Sequence, residues 1–320
     1  MLDRTALHDS TAGAGAVFAE DYGWLVPLHF GDVQAEYFAA RKYAALFDVS
    51  HHVKVELSGA DAGKFLHNLC TNDIVRLGAG AGCEAFLTTG QAKIVAHACV
   101  YRQAHSEGGD TFWLDVGPGL AENVLKHLDR FIISEQVELA DRTREFAQVH
   151  LAGPEAAGVL QRVGAEEAGK LQDLQQTEHG LGAGSRCRIR RHDPLGVLGY
   201  DIVCPVSDAA AVWQSLTAAG ARPAGAKAYH ILRIEAGTPI NGVDIDETNL
   251  PQEVGRTERT VSFTKGCYIG QETIARIRTY GHVNRSLVRL VIAGDGVVPH
   301  GSKLYRDGKE VGLVTSSTVS

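Results

Sequence analysis

Segments with a repeat of two and segments with a helical repeat follow one another along this chain without strict alternation. That order limits the available folds more than any other feature. HVKVELSG sets Val53, Val55 and Leu57 against Lys54, Glu56 and Ser58, which predicts a half-buried strand closed by a Ser-Gly turn. Further strands are expected at CEAFLTT, KIVAHACVYR, TFWLDV, EFAQVHLAG, CRIRRHD and GYDIVCPV. Helices are expected over Gln34 to Phe47, at DAGKFLHNLCTND with Asp61 as cap, at LAENVLKHLDRFI, and at GAKAYHILRIEAG ended by Gly237. A doubly wound parallel sheet needs regular βαβ order, so the expected class is α+β with mixed, mostly antiparallel sheets and flanking helices.

Three regions are expected. Residues 1–20 open on a small, polar stretch and are read as a mobile segment. Residues 21–280 hold the main body, in two subdomains. Over 281–320 the texture becomes all-β: SLVRLVIAG reads as a strand, and SKLYRDGKEVGLVTSSTV reads as a hairpin turning at Asp307-Gly308. Three strands leave an open apolar edge, so an incomplete C-terminal β-barrel is expected there.

With 320 residues, 44% of them hydrophobic, the chain can bury a large core. Its formal charge of -7 gives no general attraction to nucleic acid or anionic lipid, so a small molecule or a protein is the expected partner. No apolar run reaches the length of a membrane span, and the opening lacks a basic region followed by an apolar one. A cytoplasmic location is the expectation. The six cysteines show no CxxC spacing, and most read as free thiols. Cys99 and Cys204 lie in apolar runs and read as inert packing.

Cys267 stands apart, in the phrase TKGCYIGQETIARIR. With Gly270 as N-cap and QETIARIR as the first helical turns, the thiol falls just before a helix N-terminus. Backbone N–H groups, Lys265, and Arg276 or Arg278 would favour the thiolate there. Gly266 and Gly270 would let the backbone turn tightly, while Tyr268 and Ile269 would seat the loop on the core. Such a sulfur suits a nucleophile, a shared ligand to iron, or a redox sensor; a loop-packing residue is the plain alternative. Asp244, Asp246, Glu247 and Asn249 read as a solvated acidic turn and not as a calcium loop. His51, His52, His67 and Cys70 lack the second pair that a zinc site needs. Arg233, on LRIEAG, suits either an ion pair or a grip on an anionic tail.

The phrases LFDVSHHVKVELSGADAGKFLHNLCTNDI and LRIEAGTPINGVDIDETNLPQEVG resemble the glycine-cleavage T-protein, a tetrahydrofolate-dependent aminomethyltransferase. Within that superfamily, Lys265-Gly266-Cys267-Tyr268-Ile269-Gly270-Gln271-Glu272 resembles the signature of YgfZ-type folate-binding proteins, associated with iron-sulfur enzyme maturation. The resemblance implies a T-protein-like fold around a central cavity and tetrahydrofolate or a derivative as ligand. It also implies iron-sulfur assembly proteins or client enzymes as partners. It places Cys267 and Lys265 as the reactive pair, with Arg233, Tyr200, Gly266, Tyr268, Gly270, Gln271 and Glu272 around the folate. There are departures. T-proteins carry a Gly-Gly and then an Asp-Asp pair where this chain has Ala92-Lys93 and Ala96-His97, and a pterin-gripping glutamate where it has Val197. Their Ala-Arg-Asp stands here as Ala228-Tyr229-His230. Losing a carboxylate beside the reacting nitrogen should slow ordinary aminomethyl transfer by orders of magnitude. The leading expectation is thus a folate-binding accessory protein acting through Cys267. The alternatives are a transferase with a rearranged site and a purely structural module.

Overall fold

The computed structural model describes residues 2–103, 110–181, 184–294 and 296–320. Strands Asp3–Arg4 (β1), Val17–Asp21 (β2) and Trp24–His29 (β3) form a small sheet, with helix His8–Gly13 (α1) inserted between the first two. The opening stretch, expected as a loose end, is built into the fold. Leu7 and Thr11 are fully buried, and the Thr11 hydroxyl donates to the carbonyls of Leu7 and His8. One buried leucine anchors it against the main core.

Helix Val33–Lys42 (α2) begins at Asp32, whose carboxylate accepts from the N–H groups of Gln34 and Ala35. Ala45–Asp48 (β4), Val53–Gly59 (β5), Gly82–Thr88 (β6), Ile94–Arg102 (β7), Asp110–Val116 (β8) and Glu138–Asp141 (β9) follow. The last five make an antiparallel sheet ordered β6-β7-β8-β5-β9. Helices Ala62–Leu69 (α3) and Ala121–Asp129 (α4) cover one face, where Val55, Leu57, Ala96, Ala98 and Val100 meet Phe65, Leu66 and Val124. Asp61 starts α3 without a side-chain cap bond; its carboxylate accepts from Gln136 N–H instead.

Phe146–Ala152 (β10), Gln176–Leu181 (β11), Ser185–Arg191 (β12), Gly199–Pro205 (β13) and Arg222–Ala224 (β14) join β4 in a second sheet ordered β11-β12-β13-β10-β4-β14. Within this sheet only β14 pairs in parallel, with β4, and among the described residues the one other parallel pair of named strands is β1 with β3, so the mostly antiparallel expectation holds. Ala156–Arg162 (α5) and Ala209–Ala218 (α6) pack on one face; α2 and Ala226–Ala236 (α7) pack on the other. The helix expected to reach Phe47 stops at Lys42 because Ala45 to Phe47 are claimed as a strand between β10 and β14, buried on both sides. Tertiary pairing overrides helical spacing there.

Helices α2 and α7 cover their face of the second sheet only at its β4–β14 end; the rest of it looks at the helix-free face of the first sheet. Lys54, expected to meet solvent, is fully buried in this layer, its ammonium donating to the carbonyls of Ser50 and His52. Helices Thr257–Thr260 (α8) and Gln271–Tyr280 (α9) follow, and Lys303–Arg306 (β15) pairs with Lys309–Leu313 (β16). Asp307 and Gly308 have φ of 52° and 74°, the left-handed pair that a primed turn requires. The expected barrel is not formed: this hairpin is an open two-stranded sheet, and SLVRLVIAG forms no strand, with Leu287 packed on the core and the rest exposed. A strand needs a partner edge, and none lies beside it among the described residues. No helix among the described residues is long and apolar enough to cross a membrane.

Candidate functional site

A cavity of about 400 Å³ opens between the polar faces of the two large sheets. Glu84 (β6), His97 and Cys99 (β7), Asp115 (β8), Gln148 (β10) and Asp201 (β13) reach it from the strands. Tyr229, His230 and Arg233 reach it from α7, as do His51, His52 and His192 from loops. Strand geometry selects these residues, because alternate side chains share a face. On β7, Ala96 and Ala98 pack on the helices while His97 and Cys99 turn to the cavity.

His97 belongs to a charged cluster. Its Nε2 lies 3.1 Å from Glu84 Oε2, and its backbone N–H donates to Asn241 Oδ1 at 2.9 Å. Glu84 also accepts from Arg256 at 2.7 and 2.9 Å and from Arg259 at 2.6 Å. Burial alone would raise the Glu84 pKa, but the bonds from His97 and Arg256 outweigh it and hold the carboxyl far below its usual range. Because Glu84 is fixed as an acceptor, the proton on His97 belongs on Nε2, which leaves Nδ1 as the basic atom.

A second cluster centres on Asp201. It bonds His150 Nδ1 and His192 Nδ1, each at 2.8 Å, and His192 Nε2 lies 3.6 Å from Cys99 Sγ. Burial opposes ionisation of Asp201, yet the two imidazoles keep its pKa well below the carboxylate norm. Burial likewise opposes a charge on His192, but Cys99 and Asp201 raise its pKa well above the imidazole range. Burial pushes the Cys99 thiol up, and His192 offsets part of that. Burial drives His52 well below the usual imidazole range, so its ring on the cavity wall is neutral.

Several buried acceptors in the wall lack a protein partner among the described residues. Gln148 Oε1 and Asp115 Oδ1 are two, and Asp115 reserves its other oxygen for Arg190. Flanked by Val26, Phe47, Val49 and Tyr229, they fit a flat heterocycle that carries N–H donors, as a pterin does.

The residues singled out from the sequence lie mostly elsewhere. Lys265 is buried, and its ammonium donates to the carbonyls of His67, Cys70 and Asn72 at the C-terminal end of α3. A cation at a helix C-terminus is favourable, so Lys265 fastens a loop and its charge is committed away from Cys267. Arg278 is likewise engaged, 3.9 Å from the centre of the Phe263 ring. Cys267 is exposed and, with Gly266, Gln271 and Glu272, is not part of the cavity wall. Gln271 accepts from the Tyr268 N–H, and Tyr268 packs with Ala92, Val261 and Ile274, as expected for a loop seated on the core.

Gly270 does precede α9, with φ of 83°, and a Cβ there would stand 2.8 Å from the Thr89 carbonyl. A Cβ at Gly266 would meet only His67 Nε2, 4.0 Å away, so no close approach demands a glycine. Tyr200 is fully buried in the helix-facing core of the second sheet, its hydroxyl 3.4 Å from the Gly169 carbonyl. It misses the cavity because β13 turns Asp201 that way and Tyr200 the other. Arg233 does line the cavity, but its guanidinium is bound to Asp244 at 2.6 Å and to Ser316 at 2.8 Å.

His192, Asp201, His150 and Glu84 went unnoticed in the sequence, and Cys99, expected as inert packing, stands on the cavity wall beside His192. The one available signal was the spacing of His97 and Cys99 on a single strand face.

The GCVT N-terminal domain model matches residues 7–265. An aminomethyltransferase of Rubrobacter xylanophilus is 32% identical over 319 residues, covering 100% of this chain and 84% of the relative. One from Geobacillus kaustophilus is 32% identical over 329 residues, covering 100% and 87%. The crystal structure of glycine cleavage system aminomethyltransferase T from Bartonella henselae shares the fold, with a TM-score of 0.82 and 23% identity over 99% of this chain and 86% of that one. A domain match across most of the length, full-length relatives and the shared fold agree: the chain belongs to the GCVT family, the T-protein superfamily of aminomethyltransferases.

Proposed function

We propose that this protein is a tetrahydrofolate-dependent one-carbon transferase in which His97, held by Glu84, takes the place of the family's acid. The observation that carries this reading is the orientation of β7. Of the two positions where T-proteins resemble one another by an acid pair, Ala96 faces the helices and His97 faces the cavity. Tetrahydrofolate, when bound, supplies the nitrogen that accepts the one-carbon unit. The chain's own groups do the rest. Gln148 Oε1 and Asp115 Oδ1 receive N–H donors of the heterocycle, while Phe47 and Tyr229 cover its faces. Glu84 orients the His97 ring through Nε2, and Nδ1 takes or returns a proton beside the reacting centre.

Two measurements test this. Calorimetric titration with tetrahydrofolate should give a binding isotherm. Product analysis with glycine-derived aminomethyl or methylated donors should show transfer that falls at least about a hundredfold in His97→Ala. Absence of binding, or an unchanged rate in His97→Ala, defeats the proposal.

A second reading, an accessory role in iron-sulfur enzyme maturation through Cys267, is favoured by the exposure of that thiol beside the start of α9. The names of the relatives weigh toward the transferase. Iron-sulfur enzyme activity in cells carrying Cys267→Ser separates the two: a fall supports the accessory role, and unchanged activity removes it.

A further inference from the structure

We propose that Cys99, His192 and Asp201 form a nucleophilic thiol centre inside the cavity that adds reversibly to small aldehydes. The arrangement is that of an activated nucleophile with its base and orienter. Asp201 fixes the His192 ring through Nδ1 at 2.8 Å, so Nε2 is aimed at Cys99 Sγ, 3.6 Å away. His150 holds the other oxygen of Asp201 at 2.8 Å, so the carboxylate cannot swing away. All three members of the centre line the cavity. They come from different strands and a loop between strands, brought together only by the facing of the two sheets.

A thiol that merely fills space needs none of this. Cys204 shows the contrast, since it packs among Val212, Trp213 and Leu216 in the helix-facing core. Cys99 has polar neighbours, and 7% of its surface is exposed, enough for a small molecule to touch and too little for a bulky one. Gln148, 2% exposed, carries an unpartnered acceptor in the same wall. An aldehyde is the electrophile that this set suits, because addition needs only a nucleophile and one proton shuttle. As the S–C bond forms, the π electrons of the carbonyl move to its oxygen. His192, charged, gives its Nε2 proton to that oxygen and takes the thiol proton in its place, giving a hemithioacetal with no net oxidation or reduction. This centre is separate from the His97–Glu84 pair and does not depend on folate binding.

The test follows alkylation of individual cysteines by iodoacetamide, read by peptide mass spectrometry on the full chain without folate or donor. Exposed Cys267 serves as the standard within each sample. In the wild-type protein Cys99 should be labelled, and millimolar acetaldehyde should slow labelling at Cys99 at least about fivefold while leaving Cys267 unaffected. In His192→Gln the Cys99 rate should fall at least about tenfold with Cys267 unchanged, and Asp201→Asn should fall between. The proposal is overturned if Cys99 resists labelling in the folded wild type, or if acetaldehyde protects both cysteines equally or neither. It is also overturned if folded His192→Gln labels Cys99 at the wild-type rate. The acetaldehyde arm uses the wild-type chain and stands whether or not the variants fold. Either result leaves the transferase reading where it was, since no transfer is measured.

Discussion

Nε2 of His97 lies 3.1 Å from Oε2 of Glu84, reached diagonally across the paired strands β7 and β6. Directly opposite partners on these strands are Glu84 with Cys99 and Phe86 with His97, so the contact is a cross-strand diagonal on the cavity face. The same carboxylate neutralises Arg256 and Arg259.

Glu84→Gln should therefore destabilise the protein on the order of 3 kcal/mol, because Arg256 loses its counter-ion and Arg259 keeps only Asp173. Urea unfolding at neutral pH measures it. Since Glu84 is held below its ordinary value of 4.5 in the folded state, its contribution is present above that value and is lost as pH falls beneath it. The gap between wild type and variant should stay constant from neutral pH down to about pH 5 and narrow below. A gap already closed at about pH 6 contradicts this assignment.

Lys54 gives the opposite pH signature. Burial lowers its pKa from 10.5 to about 8, so above about pH 8 the unfolded chain holds a proton that the folded chain has released. Stability rises with pH in that window, by on the order of 1 kcal/mol per unit from this group. Unfolding midpoints of wild type and Lys54→Met between about pH 7.5 and 10 should converge or cross as the wild type gains. Parallel curves would show that Lys54 titrates normally.

Lys265→Met should cost about 2 kcal/mol, because the buried Cys70 carbonyl and the half-buried carbonyls of His67 and Asn72 lose their donor. The rate of Cys267 alkylation should change less than about twofold, since the ammonium is committed to α3 and not to that sulfur. A large fall in Cys267 reactivity without loss of stability would restore the pairing expected from the sequence.

Gly270→Ala should lose about 2 kcal/mol or more, as both the φ of 83° and the Thr89 carbonyl 2.8 Å from the new Cβ oppose it. Gly266→Ala, whose Cβ would meet only His67 Nε2 at 4.0 Å, should stay within about 0.5 kcal/mol. Thermal or urea unfolding of the pair distinguishes a demanded glycine from a tolerated one.

Tyr200→Phe should leave tetrahydrofolate affinity within about twofold and cost about 1 kcal/mol of stability, the worth of one hydroxyl bond to a half-buried carbonyl. A large loss of affinity would return Tyr200 to the ligand site.

The sequence by itself determined the α+β class, most strands and helices, the Asp307-Gly308 turn and the stop of α7 at Gly237, whose φ is 73°. Each rests on short-range physics: side-chain period, glycine at a left-handed position, or a turn dipeptide. The seating of Tyr268 on the core was legible for the same reason. What it could not supply was the medium each polar strand face meets. Lys54 and Glu84 alternate with apolar residues as if bound for water, yet they face a second sheet. Cys99 sits in an apolar run, yet it meets His192 from 93 residues away. The helix through Phe47 gave way because β10 and β14 close on Ala45 to Phe47 from both sides. Only the stacking of the two sheets decided which of Ala96 and His97, or of Tyr200 and Asp201, looks into the cavity. A one-residue difference in strand register reverses every such choice, and register is fixed by partners distant in the chain.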